Sequence, residues 1–270
     1  MSRRGPSRSH ADLVDFAHTL ADAAGAAVLP HFRRRLAVAN KAGAGGQYDP
    51  VTAADRAAER AMRAAIAKAF PDHGILGEEF AARAGAGSHQ WVLDPIDGTR
   101  AFIMGSPLWG TLIGLVEDGV PVLGLMDQPF LRERFWAAAG RAHLRGADGR
   151  TRRLRTRPCA GLAEAVLTST HPDLFELEVE AAAFARVKRK ARMTRFGGDC
   201  YGYGLLAAGF VDVVIEAGLK PYDVIPLIPI VEASGGQITT WDGKPALAGG
   251  RIVATGDRRV HAEALTLLGG

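Results

Sequence analysis

The stretch Trp91-Val92-Leu93-Asp94-Pro95-Ile96-Asp97-Gly98-Thr99 constrains this chain more than any other. Three apolar residues form a buried strand, and the strand ends in a carboxylate. Pro95 has no N–H and a fixed φ, so the chain is expected to leave the sheet there. Asp94, Asp97 and the Ile96 carbonyl can then converge on one hard cation, because oxygen-only ligation suits Mg²⁺. Gly98 and Thr99 follow at an expected helix start, where free N–H groups and the helix dipole favour a phosphate. One nine-residue stretch therefore offers metal ligands beside an anion nest at the end of a strand; the plain alternative is a turn with two solvated aspartates.

A chain of 270 residues, 47% hydrophobic and 23% charged, has ample material for such a sheet. At this length it buries roughly 70–75% of its unfolded surface and folds without a disulfide or metal staple. It reads as one large domain or two packed halves. Disordered, collagen-like and mini-protein classes are excluded. Mean hydropathy is only +0.02, and no apolar run reaches the roughly 18 residues of a membrane span. Cys159 and Cys200, 41 positions apart, make neither a disulfide framework nor a metal pair, which points to a reducing cytoplasm. The basic opening MSRRGPSRSH lacks a following apolar region, because Asp12, Asp15, His18 and Asp22 come next; residues 1–8 are expected to be a flexible basic tail, not a signal peptide. Net charge is +4, with five Arg between Arg150 and Arg157 and six Lys or Arg between Arg186 and Arg195. No aromatics interleave these runs, so a solvated surface that steers small anions is expected, not nucleic-acid binding.

Helical spacing of Leu13, Phe16, Leu20 and Ala24, with Ser9 and Asp12 as a capping box, predicts a helix over 9–38. A Gly-rich loop covers 40–49. Thr52 and Asp55 cap a second helix that ends before Pro71. Strands are expected at 74–77, 91–93, 108–116, 121–126 and 134–139, and a boundary at the polar, Gly/Arg-rich stretch 146–158. Beyond it, strands at 165–169, 192–196, 211–216, 237–240 and 251–254 alternate with helices near 173–186, 199–208, from 223, and 258–268. In a helix opened by Asp223, Pro226 falls in the first turn, where its missing N–H costs nothing, and Pro229 falls inside, where it removes a bond to the Ile225 carbonyl, so a kink or break is expected near 225–229. Helices layered on sheets is the reading, with a half at 9–150 and a half at 151–270.

Further acids accompany the central stretch: Gly77-Glu78-Glu79 after a short strand, and Tyr222-Asp223 opening a helix. Adjacent carboxylates in an apolar setting repel unless a cation or proton intervenes. Taken singly, Glu78-Glu79 reads as a solvated pair and Asp223 or Asp55 as a helix cap. Together with Lys41, DPVTAAD (49–55), GEEF (77–80), WVLDPIDGTRAF (91–102) and PYDVIPLIPIVEASGG (221–236), they resemble the inositol monophosphatase family of metal-dependent phosphomonoesterases, over about residues 10–268.

The resemblance implies a layered α/β/α/β/α sandwich of the inositol monophosphatase and fructose bisphosphatase type, forming a homodimer. It implies metal ligation by Glu78, Asp94, Asp97, the Ile96 carbonyl and Asp223, with two or three Mg²⁺ per site. Thr99 matches the residue that orients the attacking, metal-activated water, its hydroxyl held by Asp55; with Glu78 these form the catalytic set. The Gly98 and Thr99 N–H groups match a phosphate nest. Glu79, Lys41 and Asp49 are supporting candidates. Two Mg²⁺ ions suit the chemistry, since a phosphate monoester dianion repels hydroxide and its uncatalysed hydrolysis is extremely slow. No Walker-type loop is present, so nucleotide-driven phosphoryl transfer has no support.

Phe196-Gly197-Gly198-Asp199-Cys200, with DGTRAF and MDQP (126–129), is similar to the histidinol-phosphate phosphatase branch. A substrate with a primary ammonium needs carboxylates in its pocket. Asp199 and Glu216, with Gly198, are the candidate substrate residues. Their plain alternatives are a helix cap and a surface charge at a strand end. Cys200 reads as a small buried hydrophobe, and Trp109, Trp136 and Trp241 as packing residues. An inositol-1-phosphate phosphatase, another small phosphate-ester phosphatase, or a non-catalytic RNA-binding member are the competing functions.

Overall fold

The computed structural model describes residues 10–35, 37–41 and 50–269. The basic tail, the Ser9 half of the first cap, Asp49 and most of the Gly-rich loop lie outside the described residues. In chain order the first half contains α1 (His10–Val28), β1 (Val38–Asn40), β2 (Pro50–Thr52), α2 (Ala53–Ala69), β3 (Gly74–Gly77), β4 (His89–Asp97), α3 (Thr99–Ile103), β5 (Gly110–Glu117), β6 (Val120–Gln128), β7 (Glu133–Ala138), β8 (Arg141–Arg145) and β9 (Thr151–Arg153). The remainder contains β10 (Val166–Ser169), α4 (Glu178–Lys190), β11 (Met193–Phe196), α5 (Asp199–Ala207), β12 (Val213–Leu219), α6 (Pro221–Val224), α7 (Leu227–Ala233), β13 (Gln237–Thr240), β14 (Gly250–Thr255) and α8 (Arg258–Gly269). No described helix is long and apolar enough to cross a membrane.

Strands β3 to β9 form a seven-stranded sheet in sequence order, and the second sheet runs β11-β10-β12-β14-β13. In the first, only β3 and β4 are parallel; in the second, β10 is parallel to both β11 and β12. Side-chain alternation decides the layers. Ile113 and Leu115 face the helices α1 and α2, through Leu20, Ala24, Met62 and Ile66. Leu112 on the same strand faces the opposite way, into a middle layer with Tyr203, Leu206, Leu227 and Ile230 of α5 and α7. Val214 closes that middle layer from the second sheet, while Val213 and Ile215 face out to Phe184 of α4 and Val260 of α8. The result is α/β/α/β/α. Each fully buried Leu or Ile contributes roughly 1.5–3 kcal/mol, so the three cores hold the site rigidly between the sheets.

The expected helix over 9–38 stops at Val28, because Pro30 turns the chain into a single 3-10 turn over Leu29–His31. β4 does not end at Pro95. Asp94 pairs Leu112 and Asp97 pairs Gly110, so Pro95 and Ile96 together face Thr111 in a β-bulge, where a proline is tolerated. Strands β8 and β9 have no counterpart in the sequence reading. Their polar, Arg-rich text masks them, and β9 places residues 151–153 in the first sheet. The fourth helix begins later than expected, after a 3-10 turn at Pro172–Leu174.

The helix expected from residue 223 starts at Pro221 and breaks at Ile225–Pro226. Starting two residues earlier moves Pro226 beyond the first turn, so its missing N–H removes an intrahelical bond. The break packs onto the sheet at Gly124, where an added Cβ would lie 2.0 Å from the Pro226 carbonyl oxygen. Only glycine admits that approach, and it sets the position of α6 and Asp223.

Candidate active site

Asp94 and Asp97 sit on either side of the β4 bulge. The bulge is fixed by two bonds: Ile96 N–H donates to Asp94 Oδ1 at 3.0 Å, and the Thr111 hydroxyl donates to the Pro95 carbonyl at 2.8 Å. Asp97 Oδ2 accepts the Cys200 N–H of the first turn of α5 at 2.7 Å. Asp223 Oδ2 caps α6 by accepting the Lys220 N–H at 2.7 Å. These anchors bring one oxygen each of Asp94, Asp97 and Asp223 within 4.8 Å of one another. Glu78 follows β3, its N–H bonded to the Leu93 carbonyl at 3.2 Å, and its carboxyl lies against Asp94.

Burial pushes Asp94 well above the ordinary carboxylate range, and the charges of Glu78, Asp97 and Asp223 push it further. Asp223 is also raised well above it, first by burial and then by Asp97. Burial raises Asp97 against the opposing Cys200 bonds. Such a set carries too much negative charge to be stable as it stands in a low dielectric. Hard oxygen donors at this spacing fit a hard divalent cation.

Glu78 and Glu79 share one cation. Lys41 Nζ donates to Glu78 Oε1 at 2.7 Å and to Glu79 Oε1 at 2.5 Å. Burial lifts Glu78 despite Lys41, and lifts Glu79 to about 7. The Glu79 N–H donates to Oε2 of Glu59 at 2.7 Å, and Glu59 is itself held by Arg63. Glu59 thus positions the whole turn. In the sequence it was hidden as one half of an ordinary i, i+4 helix pair with Arg63.

Thr52 and Asp55 form the expected capping box, with the Thr52 N–H and hydroxyl both donating to Asp55 Oδ2. The other oxygen, Asp55 Oδ1, is buried without a partner. The expected bond from Thr99 to Asp55 is not made. The Thr99 hydroxyl donates instead to the Ile96 carbonyl at 3.0 Å, because the first turn of α3 folds it back over that carbonyl.

Asp199 and Glu216 come together beside this cluster. Burial and the charges of Asp97 and Glu216 lift Asp199 to about 8, with Arg100 opposing. Asp199 opens α5 at φ 44°, a strained conformation for a non-glycine residue. It leans on Gly98, whose φ is 84° and where an added Cβ would lie 3.1 Å from the Asp199 Cγ. Gly198 precedes it at the helix cap. Glu216 is not a strand-end surface charge: it lies inside β12, buried, and its Oε1 accepts the Thr170 N–H and hydroxyl at 2.8 and 2.7 Å. Burial first, and Asp97 after it, raise it to about 7. The Tyr203 hydroxyl, buried without a partner, borders the same acids. Its place in the FGGDCYGYG stretch was the available signal, and aromatic packing was the simpler reading.

The sequence matches the inositol monophosphatase family over residues 10–268. The chain belongs to that family. It is accordingly a phosphoric monoester hydrolase of a metal-dependent family, acting on a small phosphorylated substrate. Among curated relatives, the bifunctional phosphatase IMPL2 of Arabidopsis thaliana is 43% identical over 99% of this chain and 79% of its own length. A histidinol-phosphatase of Mycobacterium tuberculosis is 38% identical over 81% of this chain and 84% of its own. The solved inositol monophosphatase of Zymomonas mobilis superposes with a TM-score of 0.85 at 40% identity, covering 98% of this chain and all of that one. These likenesses assign the layered architecture of the present family member to the inositol monophosphatase fold.

Proposed function

We propose that this chain hydrolyses histidinol phosphate to histidinol and phosphate. The observation that carries the reading is the nearness of Asp199 and Glu216, one half-buried and one buried carboxylate beside the cation cluster. A neutral polyol needs hydroxyl partners; a primary ammonium losing water needs a counter-charge. The histidinol-phosphatase relative supports the same choice.

Glu78, Asp94, Asp97, Asp223 and the Ile96 carbonyl would hold Mg²⁺, two or three ions per site. When bound, these cations neutralise the phosphate dianion, acidify water and stabilise the leaving alkoxide. The chain's own groups supply the rest. The Gly98 and Thr99 N–H groups, at a helix start without intrahelical acceptors, bind phosphate oxygens. The Thr99 hydroxyl would orient the attacking water, taking a proton from it as its own proton passes to Asp55 Oδ1, the buried oxygen that lacks a donor; for this it leaves the Ile96 carbonyl. Lys41 and Glu59 set the Glu78–Glu79 turn. The half at 9–150 carries most of the cation site, and the half at 151–270 brings Asp223 and the specificity pair. We read the enzyme as a cytoplasmic homodimer.

The test is phosphate release with Mg²⁺ from histidinol phosphate, inositol 1-phosphate, fructose 1,6-bisphosphate and p-nitrophenyl phosphate. Histidinol phosphate is expected to be turned over with the highest kcat/KM. Asp199→Asn and Glu216→Gln are expected to weaken it by about 10–150-fold, the loss of a charge-assisted bond, and to spare p-nitrophenyl phosphate. Comparable turnover of inositol 1-phosphate, or equal losses on both esters, would overturn the assignment.

A further inference from the structure

A cavity of about 670 Å³ opens between the start of β6, the end of β7, the segment after β9 and α7. It lies away from the carboxylate cluster. Asp127 pairs Thr111 at the cluster end of the sheet, and Pro121 pairs Val116 at the other. Six residues of strand separate Asp127 from Pro121, about 20 Å at roughly 3.4 Å per residue. The volume falls within the range of small-molecule sites, roughly 300–1,000 Å³.

Its lining has two chemical parts. Val122 and Pro229 give an apolar wall. Arg153, Arg155 and Glu232 give charges of both signs. Among the described residues, none of the three forms an ion pair. The cavity wall partly desolvates the Glu232 carboxyl and lifts it, and among the described residues no cation bonds it. Opposite charges that share a cavity without meeting are complementary to a molecule that carries both. A simple anion would meet the Glu232 charge, and a simple cation would meet two guanidinium groups. A zwitterion satisfies all three: its carboxylate takes an arginine fork in bidentate fashion, its ammonium takes Glu232, and its side chain takes the apolar wall.

We propose that this cavity is a second binding site, for a free α-amino acid with an apolar side chain. It is independent of the identity of the phosphate ester. Arg153, Arg155 and Glu232 are exposed, so their substitution leaves the fold intact. The experiment uses the full chain with Mg²⁺, thermal unfolding and titration calorimetry. The probes are L-valine, L-leucine, L-isoleucine, L-methionine and L-phenylalanine, each alone, with leucinamide and 4-methylpentanoate as controls lacking one charge. At least one amino acid is expected to raise Tm by about 3 °C at ten times its Kd. Arg153→Met/Arg155→Met and Glu232→Gln are each expected to weaken binding by about 10–150-fold, with phosphatase activity unchanged. The controls are expected to give no shift. No shift from any of the five probes, or a shift that survives in both variants, would overturn the proposal.

Discussion

Asp127 and Asp94 are both buried, at 4% and 2% exposure, on strands of one sheet separated only by β5. Asp127 accepts from Arg134 Nε at 2.6 Å, and the same guanidinium reaches Asp22 at 2.7 Å and the His18 carbonyl at 3.3 Å. Burial raises Asp127, and the arginine pulls back. Asp94 accepts one backbone N–H, from Ile96, but among the described residues no cation bonds it, and burial, Glu78, Asp97 and Asp223 all push it the same way. Burial of a carboxylate is common to both regions and decides nothing. What separates them is the sign of the neighbours. One set is neutralised by the chain itself and fastens α1 to the sheet. The other leaves an excess of negative charge that bound protons or a cation must offset, which is the physical mark of a site.

The sharpest way to break the comparison is to remove one charge from each region. Asp94→Asn is expected to lower kcat by several kcal/mol, roughly a hundred- to ten-thousand-fold. Its thermal stability is expected to stay level or rise, because repulsion is relieved; near-native turnover at saturating Mg²⁺ would remove the cation reading. Arg134→Met should do the reverse. It leaves Asp127 buried and unpaired, at a cost of about 3–5 kcal/mol, with turnover retained well below the lowered Tm. Urea unfolding and steady-state rates on both variants check the crossing pattern.

Much of this contrast was legible in the residues. Asp94, Asp97 and Gly98-Thr99 announce themselves by packing into nine positions, and the alternating apolar text placed most strands and helices. What stayed hidden has a common cause: partners distant in sequence. Glu59 reads as a helix-surface acid until the Glu79 N–H arrives 20 residues on. Arg134 reads as a strand-surface charge until α1 covers it. Strands β8 and β9 carry arginines on their exposed positions and so lack the apolar run that marks a strand. Thr99 donating to the Ile96 carbonyl instead of Asp55 is a local choice of acceptor within its own turn, which spacing does not decide.

The two regions also respond to pH with opposite sign. The acids of the cluster have folded values above their unfolded ones, 3.8 for Asp94 and 4.5 for Glu78. The metal-free fold therefore holds protons that the unfolded chain releases. That stability is complete below pH about 4 and is lost as pH rises through the raised values. Mg²⁺ replaces those protons, so the rise in Tm on adding it is expected to be larger at pH 8 than at pH 5; equal rises would contradict the linkage. In the arginine-neutralised region the sign reverses. Burial, with Arg134 and Arg145, holds His18 down at about 4 instead of 6.5. Its neutral form contributes stability above pH 6.5 that is lost as pH falls toward 4. His18→Gln is expected to flatten that part of the stability curve, modestly, since His18 is only half-buried; an unchanged slope in urea titrations would contradict it.

Phosphate hydrolysis at this site requires a cation in the Asp94–Asp97–Asp223 cluster, and binding of Mn²⁺, followed by electron paramagnetic resonance at neutral pH, reads its entry without reference to any substrate. The full chain is expected to bind at least one ion per site, and Asp97→Asn to lose one ion or bind it at least about tenfold more weakly, in step with its loss of phosphatase activity. Unchanged stoichiometry and affinity in Asp97→Asn would contradict it.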